Sequence, residues 1–136
     1  MITLIEKRWV LWFSIVILGI TSVPYVLGYA LQGDNWRFTG FVFGVEDGNS
    51  YIAKMLWGSA GAWLFRTPYT AFPQNGFFAF FPYMLLGKLT SLPGQHEQLV
   101  ALFQIFRWGG GLVMIWASYQ FLSFFFDDIR IRRWGG

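Results

Sequence analysis

The chain has 136 residues, of which 55% are hydrophobic and 12% are charged, and its formal net charge is +3. Soluble domains have roughly 25% charged residues, so the composition indicates an all-α integral membrane protein. The chain contains no cysteine and one histidine, which excludes disulfides, thiol catalysis and metal sites built from thiolates or several histidines. Basic residues cluster near the ends of apolar runs, a pattern that favours membrane orientation over nucleic-acid binding.

The first predicted element is a transmembrane helix over residues 9–31, which contain no charged side chain. About 20 apolar residues suffice to cross roughly 30 Å of hydrocarbon. The run is longer than the apolar part of a signal peptide, so we expect an uncleaved span. Lys7 and Arg8 precede it and place the N-terminus in the cytoplasm by the positive-inside tendency. We therefore expect a multi-pass protein of the plasma membrane, which is the inner membrane in a bacterium.

Residues 32–76 are more polar and are predicted to form an extracytoplasmic loop. Asn49 or Ser50 can cap a helix within it, predicted over residues 50–65. Residues at spacings of three and four fall on one side of it, and they are Ile52, Met55, Leu56, Ser59 and Trp63. Such a helix is expected to lie in the interface, in contact with membrane lipid.

Two further apolar stretches follow. Residues 77–92 predict a second span or a re-entrant segment, because the run is short and contains Pro82 and Lys88. Residues 98–126 predict a third span, interrupted by Arg107. A charge inside a span is costly unless it is paired or faces water.

Residues 127–136 form a charged tail that is typical of a loop before another helix, so we expect the chain to be part of a longer protein. Three spans from a cytoplasmic start would place Arg130, Arg132 and Arg133 outside, against the positive-inside tendency. Either residues 77–92 do not cross, which would return the tail to the cytoplasm, or later spans override the bias. Of these two arrangements, we expect three spans.

The carboxylates of Glu46 and Asp47 are the main candidates for chemistry. They immediately precede the predicted interfacial helix, where a carboxylate could act as a general base or bind a divalent cation. The alternative is a solvated acidic pair that only favours the helix dipole.

The run VEDGNSYIAKMLWGSAGAWLFRTPYT, residues 45–70, resembles the first extracytoplasmic loop of the GT-C superfamily of membrane glycosyltransferases. That superfamily includes protein O-mannosyltransferases and bacterial aminoarabinose transferases. Glu46 and Asp47 match its acidic pair, Tyr51 matches an aromatic residue a few positions later, and residues 51–65 match the first juxtamembrane helix. The order of elements over residues 9–133 is also similar. Many further spans of such enzymes are not present in this chain.

The resemblance implies inverting transfer of a sugar from a polyprenyl-phosphate donor to an extracytoplasmic acceptor. Asp47 would be the base, with Glu46 as its partner or as a cation ligand. Lys54 and Arg107 are candidates for binding the donor phosphate, although Arg107 could instead extend toward lipid headgroups. Missing C-terminal spans, or a partner membrane protein, would complete the site.

Two side chains after the predicted helix are further candidates for substrate binding. Arg66 and Tyr69 could bind a sugar or a lipid headgroup by stacking and hydrogen bonding, or could be interfacial anchors. A competing hypothesis is a small non-enzymatic membrane protein that assembles with partners through aromatic faces and glycines, since Gly109–Gly111 favour close helix packing. A transporter or channel is less well supported, because the predicted spans contain few ionisable groups.

Overall fold

The computed structural model describes residues 2–134, which form five helices and, apart from two isolated bridges, no strand. The helices are α1 (Leu4–Ala30), α2 (Val45–Ser59), α3 (Phe81–Gly87), α4 (Gln95–Leu122) and α5 (Ile129–Trp134). Two compact units are distinguished. Residues up to Leu27 together with those from Phe106 onward form the hairpin unit, and Gly28–Ile105 form the insert unit.

Two of the helices are long and apolar enough to cross a membrane. They cover Leu4–Ala30 and, including the turn after α4, Gln95–Phe125, with mean hydropathies of 2.1 and 1.5. At 1.5 Å per residue, α1 and α4 are each about 40 Å long, more than the hydrocarbon thickness of about 30 Å. Only 17% and 11% of their most apolar segments are buried, unlike the core helices of a soluble domain. The two helices indicate a membrane protein.

Within the hairpin unit, α1 and α4 are antiparallel. The Trp9 and Tyr119 rings lie with centroids 6.0 Å apart near one end. Toward the other end, the Trp108 Nε1–H donates to Ser22 Oγ over 3.0 Å. Between them, Gly111 lies against the Leu18 side chain. A glycine at this position allows the helices to approach closely.

A buried carboxylate joins the tail to the start of α1. Glu6 is fully buried, accepts a hydrogen bond of 2.9 Å from Tyr119 Oη, and forms an ion pair of 2.8 Å with Arg132. The predicted charged tail thus contains a short helix, α5, that is held against the first turn of α1. Because of this ion pair, the start of α1 and the tail lie at the same end of the hairpin unit.

The insert unit is built on the contact between α2 and α3. An added Cβ at Gly58 would meet the backbone carbonyl of Met84, and one at Gly87 would meet that of Met55. The two backbones touch directly because neither glycine has a side chain. Five buried residues form the core of this unit, namely Phe41, Ile52, Met55, Leu99 and Val100.

The helix predicted within the loop differs from its prediction at both ends. It was predicted over residues 50–65 and is observed at Val45–Ser59. Gly44 precedes it in the left-handed conformation, with φ 58°, and accepts the first backbone bond from Gly48 over 2.8 Å. Gly61, with φ 94°, follows its end, and glycine adopts such angles without steric cost. Glu46 and Asp47 consequently lie inside the first turn and not before it.

The stretch 77–92, predicted as a second span or a re-entrant segment, contains only the seven residues of α3. Such a helix is about 10 Å long and cannot cross the hydrocarbon. The three-span prediction is therefore not confirmed. Lys88 follows α3 and donates to the Gly58 carbonyl over 3.3 Å. The same carbonyl accepts from the Gly61 N–H over 3.0 Å at the end of α2.

Candidate functional site

One face of α2 carries three of the side chains predicted to act, Glu46, Asp47 and Lys54. Asp47 and Lys54 are seven residues apart, and Glu46 and Ser50 are four apart, so all four lie along the same side of the helix. Two turns separate Asp47 from Lys54, a rise of about 10 Å. Both carboxylates are exposed. Their position in the first turn is also favourable to the helix dipole.

Lys54 lies between aromatic rings. Its Nζ is 4.2 Å from the centroid of the Phe80 ring and 4.7 Å from that of Tyr51. The ammonium also donates to Ser50 Oγ over 2.9 Å. The ion pair found among residues 2–134 joins Glu6 to Arg132, so no carboxylate in that range forms an ion pair with Lys54. The rings stabilise the ammonium by cation–π interaction and leave its charge available to an anion.

A cleft of about 280 Å³ opens beside Lys54. Its walls are largely aromatic and apolar, with Ser50 and Thr67 as polar exceptions. The larger lining side chains are Trp57, Phe65, Pro68, Tyr69, Phe77 and Phe80. A mainly apolar cleft with one cation suits a molecule that has both an anionic group and an apolar part. The cleft, which begins one turn along α2 from the carboxylates, is the candidate site.

The far wall of the cleft is a closed loop. Phe65 and Phe77 pair their backbones through two hydrogen bonds of 2.9 and 3.0 Å. Above this pair, the Gln74 side-chain amide donates to the Thr67 carbonyl over 2.8 Å and accepts from the Thr67 N–H over 3.0 Å. The sequence analysis assigned Thr67 and Gln74 only to the extracytoplasmic loop. These bonds close the loop that carries Tyr69, a residue that is 85% exposed and lines the cleft.

Phe80 has a strained backbone. Its φ of 54° lies in the left-handed region, and it is the one residue other than glycine with positive φ among those described. Such a conformation costs on the order of 1–3 kcal/mol, and strained residues cluster at functional sites. The ring of this strained residue lines the cleft, and its centroid lies 4.2 Å from Lys54 Nζ. Sequence reasoning missed Phe80 because the residue lay in a predicted span.

The other predicted binding residues of the insert unit lie away from the cleft or support it. Tyr51 stacks on Tyr83 with ring centroids 4.6 Å apart, so it orders the aromatic cluster beneath Lys54. Burial, followed by the proximity of Tyr51, raises the pKa of Tyr83. Arg66 is exposed and borders a separate depression with Trp57 and Trp63. Arg66 therefore does not line the cleft with Lys54.

Arg107 belongs to the hairpin unit, where it binds α1. Its guanidinium donates to Ser22 Oγ over 2.7 Å and to Thr21 Oγ1 over 3.2 Å. It also lies 4.8 Å from the centroid of the Tyr25 ring. Hydroxyl and aromatic partners stabilise this charge within the hairpin. These contacts give Arg107 a role in joining α1 to α4.

The described part of the chain does not assemble a metal site by itself. Across residues 2–134, no three side chains of histidine, cysteine, aspartate or glutamate come together as a ligand set. Glu46 and Asp47 could supply two carboxylates to a divalent cation. The remaining ligands would have to come from substrate, water or another chain.

Comparison of the chain with models of known protein families, with curated proteins and with solved structures finds no match.

Proposed function

We propose that the chain is the N-terminal part of a membrane glycosyltransferase that moves a sugar from a polyprenyl-phosphate donor to an extracytoplasmic acceptor. The donor phosphate would bind Lys54, and the apolar walls of the cleft would take the start of the prenyl chain. Asp47 would act as the base that deprotonates the acceptor hydroxyl, with Glu46 as its partner or as a ligand of a divalent cation. The GT-C resemblance of residues 45–70 motivates these roles.

The observation that carries the proposal is the aromatic cleft around Lys54, on the same helix face as two exposed carboxylates. A phosphate paired with an ammonium makes charge-assisted hydrogen bonds. The carboxylates lie about 10 Å away along the helix, so a sugar attached to that phosphate could extend toward them. Tyr69, at the cleft edge, would stack on the sugar or on a lipid headgroup.

The proposed topology has two crossings, α1 and α4, with the insert unit on the extracytoplasmic side. The ion pair between Glu6 and Arg132 supports an even number of crossings, because it joins the start of α1 to the tail. Lys7, Arg8 and the tail arginines then all lie in the cytoplasm, as the positive-inside tendency favours. In this arrangement the plasma membrane, or a bacterial inner membrane, is the expected location.

Replacing the proposed base tests the function. We expect Asp47→Asn in the whole protein to lower sugar transfer at least about 100-fold, since general-base catalysis contributes that much or more. Transfer is measured as loss of radiolabelled sugar from the polyprenyl-phosphate fraction of membranes that contain the protein. The amount of inserted protein should not change, because Asp47 is exposed.

Asp34→Asn is the matched control, because Asp34 is another exposed carboxylate of the insert unit and lies outside the cleft. This variant should transfer sugar at the wild-type rate. An active Asp47→Asn enzyme would contradict the assignment of the base.

A second candidate is a non-enzymatic membrane protein that assembles with larger partners. Open space around three glycines of the long helices favours it: nothing lies within 4 Å of a Cβ built at Gly19, Gly109 or Gly110. Such positions allow another helix to approach closely. Under this alternative, wild-type membranes consume no polyprenyl-linked sugar and Asp47→Asn has no effect on assembly.

A further inference from the structure

A groove in the hairpin unit combines an apolar floor with two cations. It has a volume of about 470 Å³ and lies between α1 and α4. Its apolar walls include Val10, Leu11, Leu112 and Val113. Lys7 and Arg8 stand at one end, where both side chains are exposed. The cleft around Lys54 belongs to the insert unit and shares no residue with this groove.

The groove continues into a second, more polar depression. That depression, of about 360 Å³, is lined by Ile2, Gln120, Ser123 and Phe124, and it shares Lys7 and Trp116 with the groove. Polarity therefore increases along the hairpin from the groove to the second depression, and Lys7 lies where the two meet. From Ser14 to Leu4, the first residue of α1, the rise along the helix is about 15 Å. This gradient matches an amphiphile with its chain toward Ser14 and its headgroup toward Gln120.

The cations of Lys7 and Arg8 favour a lipid headgroup with negative charge. Lys7 and Arg8 make no ion pair with any carboxylate among residues 2–134. The neighbouring carboxylate, Glu6, is fully buried and pairs with Arg132, so it does not neutralise them. Two uncompensated cations beside an apolar groove complement a phosphate that carries acyl chains. Trp116 lines both depressions, and tryptophan favours this depth of a membrane.

We propose that this groove is a binding site for an anionic phospholipid, with the phosphate at Lys7 and Arg8 and one acyl chain along Leu11 and Val113. The site requires insertion of the hairpin in a membrane but does not depend on the transferase proposal. A variant that loses lipid binding but still transfers sugar, or one that binds lipid but no longer transfers sugar, would show that the two proposals are independent.

Lipid titration of the purified protein in neutral detergent tests the site. Bound dioleoyl phosphatidylglycerol or dioleoyl phosphatidylcholine is counted by native mass spectrometry. We expect Lys7→Gln and Arg8→Gln each to weaken phosphatidylglycerol binding about fivefold, and the double variant about 30-fold, at roughly 1 kcal/mol per cation. Binding of phosphatidylcholine should not change. Arg37→Gln, which removes an exposed cation of the insert unit, should bind both lipids as the wild type does.

A second variant tests the chain-binding half without altering charge. Val113 is 68% exposed, so Val113→Trp should fold, fill the groove and weaken binding of both lipids. Soluble glycerol phosphate should not displace the lipid at equal concentration, because it lacks the chain. Equal affinity of the wild type for the two lipids would overturn the proposal, as would full displacement by glycerol phosphate. So would a Val113→Trp variant that binds lipid normally but loses self-association, since the groove would then hold a second copy.

Discussion

Gly87→Ala is expected to destabilise the protein by roughly 3 kcal/mol, at the upper end of the usual cost of overpacking. The added carbon would meet the carbonyl group of Met55. That group belongs to the backbone of α2, so a change of side-chain rotamer cannot relieve the contact. α2 and α3 would have to separate, and the cleft between Lys54 and Phe80 would change shape. The free energy of unfolding in detergent measures the effect.

Gly109→Ala is the matched control for this prediction. Both glycines are helical, but nothing lies within 4 Å of a Cβ built at Gly109. Because alanine is the better helix former by about 1 kcal/mol, the control should be neutral or slightly more stable. A Gly87→Ala protein as stable as the Gly109→Ala protein would contradict the direct contact between α2 and α3.

Glu6→Gln is expected to cost about 3–5 kcal/mol, because it leaves the charge of Arg132 buried without its partner. The Arg132 side chain is only 10% exposed. The glutamine has nearly the same volume as Glu6 and can still accept a hydrogen bond from Tyr119. The lost free energy of unfolding therefore measures mainly the effect of removing the charge. Unfolding in detergent, followed by circular dichroism, measures it. Proteolysis of the tail should also become faster if α5 is released.

A double-mutant cycle measures the interaction energy between Glu6 and Arg132 apart from their contacts with other residues. Glu6→Gln together with Arg132→Gln should cost less than the sum of the two single changes, with a coupling energy of about 1–3 kcal/mol. Arg130→Gln removes an exposed cation of the same short helix and should change stability by less than about 0.5 kcal/mol. Additive single effects would show that the ion pair does not hold the tail.

The long helices were predictable because a long apolar run with no charge, as in α1, or with a single internal charge, as at Arg107 in α4, is a strong signal. The start of α1 was missed by five residues, since the helix begins at Leu4 and not at residue 9. A local signal was available. Thr3 and Glu6 form a reciprocal capping box, in which Glu6 Oε2 accepts from the Thr3 N–H over 2.8 Å and Thr3 Oγ1 accepts from the Glu6 N–H over 3.3 Å.

The ends of α2 were harder to predict. Asn49 and Ser50 are good capping residues by type, but the helix is preceded by a left-handed Gly44 without a side-chain cap. Ser50 instead accepts a hydrogen bond from Lys54. The choice between these starts depends on tertiary packing, in which Gly48 lies against the ring of Phe41.

The site could be predicted only in part. Spacing along α2 is sufficient to place Asp47 and Lys54 on one face. The cleft itself depends on contacts distant in sequence, namely the pairing of Phe65 with Phe77 and the left-handed backbone of Phe80. Neither has a local sequence signal. The same holds for the ion pair between Glu6 and Arg132, whose members are 126 positions apart.

The most direct test of the proposed topology is to determine on which side of the membrane the cleft and the tail lie. The chain has no cysteine, so single cysteines can be introduced without background. Asn75→Cys reports on the insert unit and Arg130→Cys on the tail, and both positions are exposed. A membrane-impermeant maleimide is applied to intact spheroplasts and then to permeabilised ones.

Two crossings predict labelling of Asn75→Cys in intact cells and of Arg130→Cys only after permeabilisation. Thr3→Cys, at the exposed start of the chain, should behave as Arg130→Cys does, because Glu6 joins the first turn of α1 to the tail. Labelling of Arg130→Cys in intact cells, with Thr3→Cys protected, would contradict the account, since it would require an odd number of crossings between them.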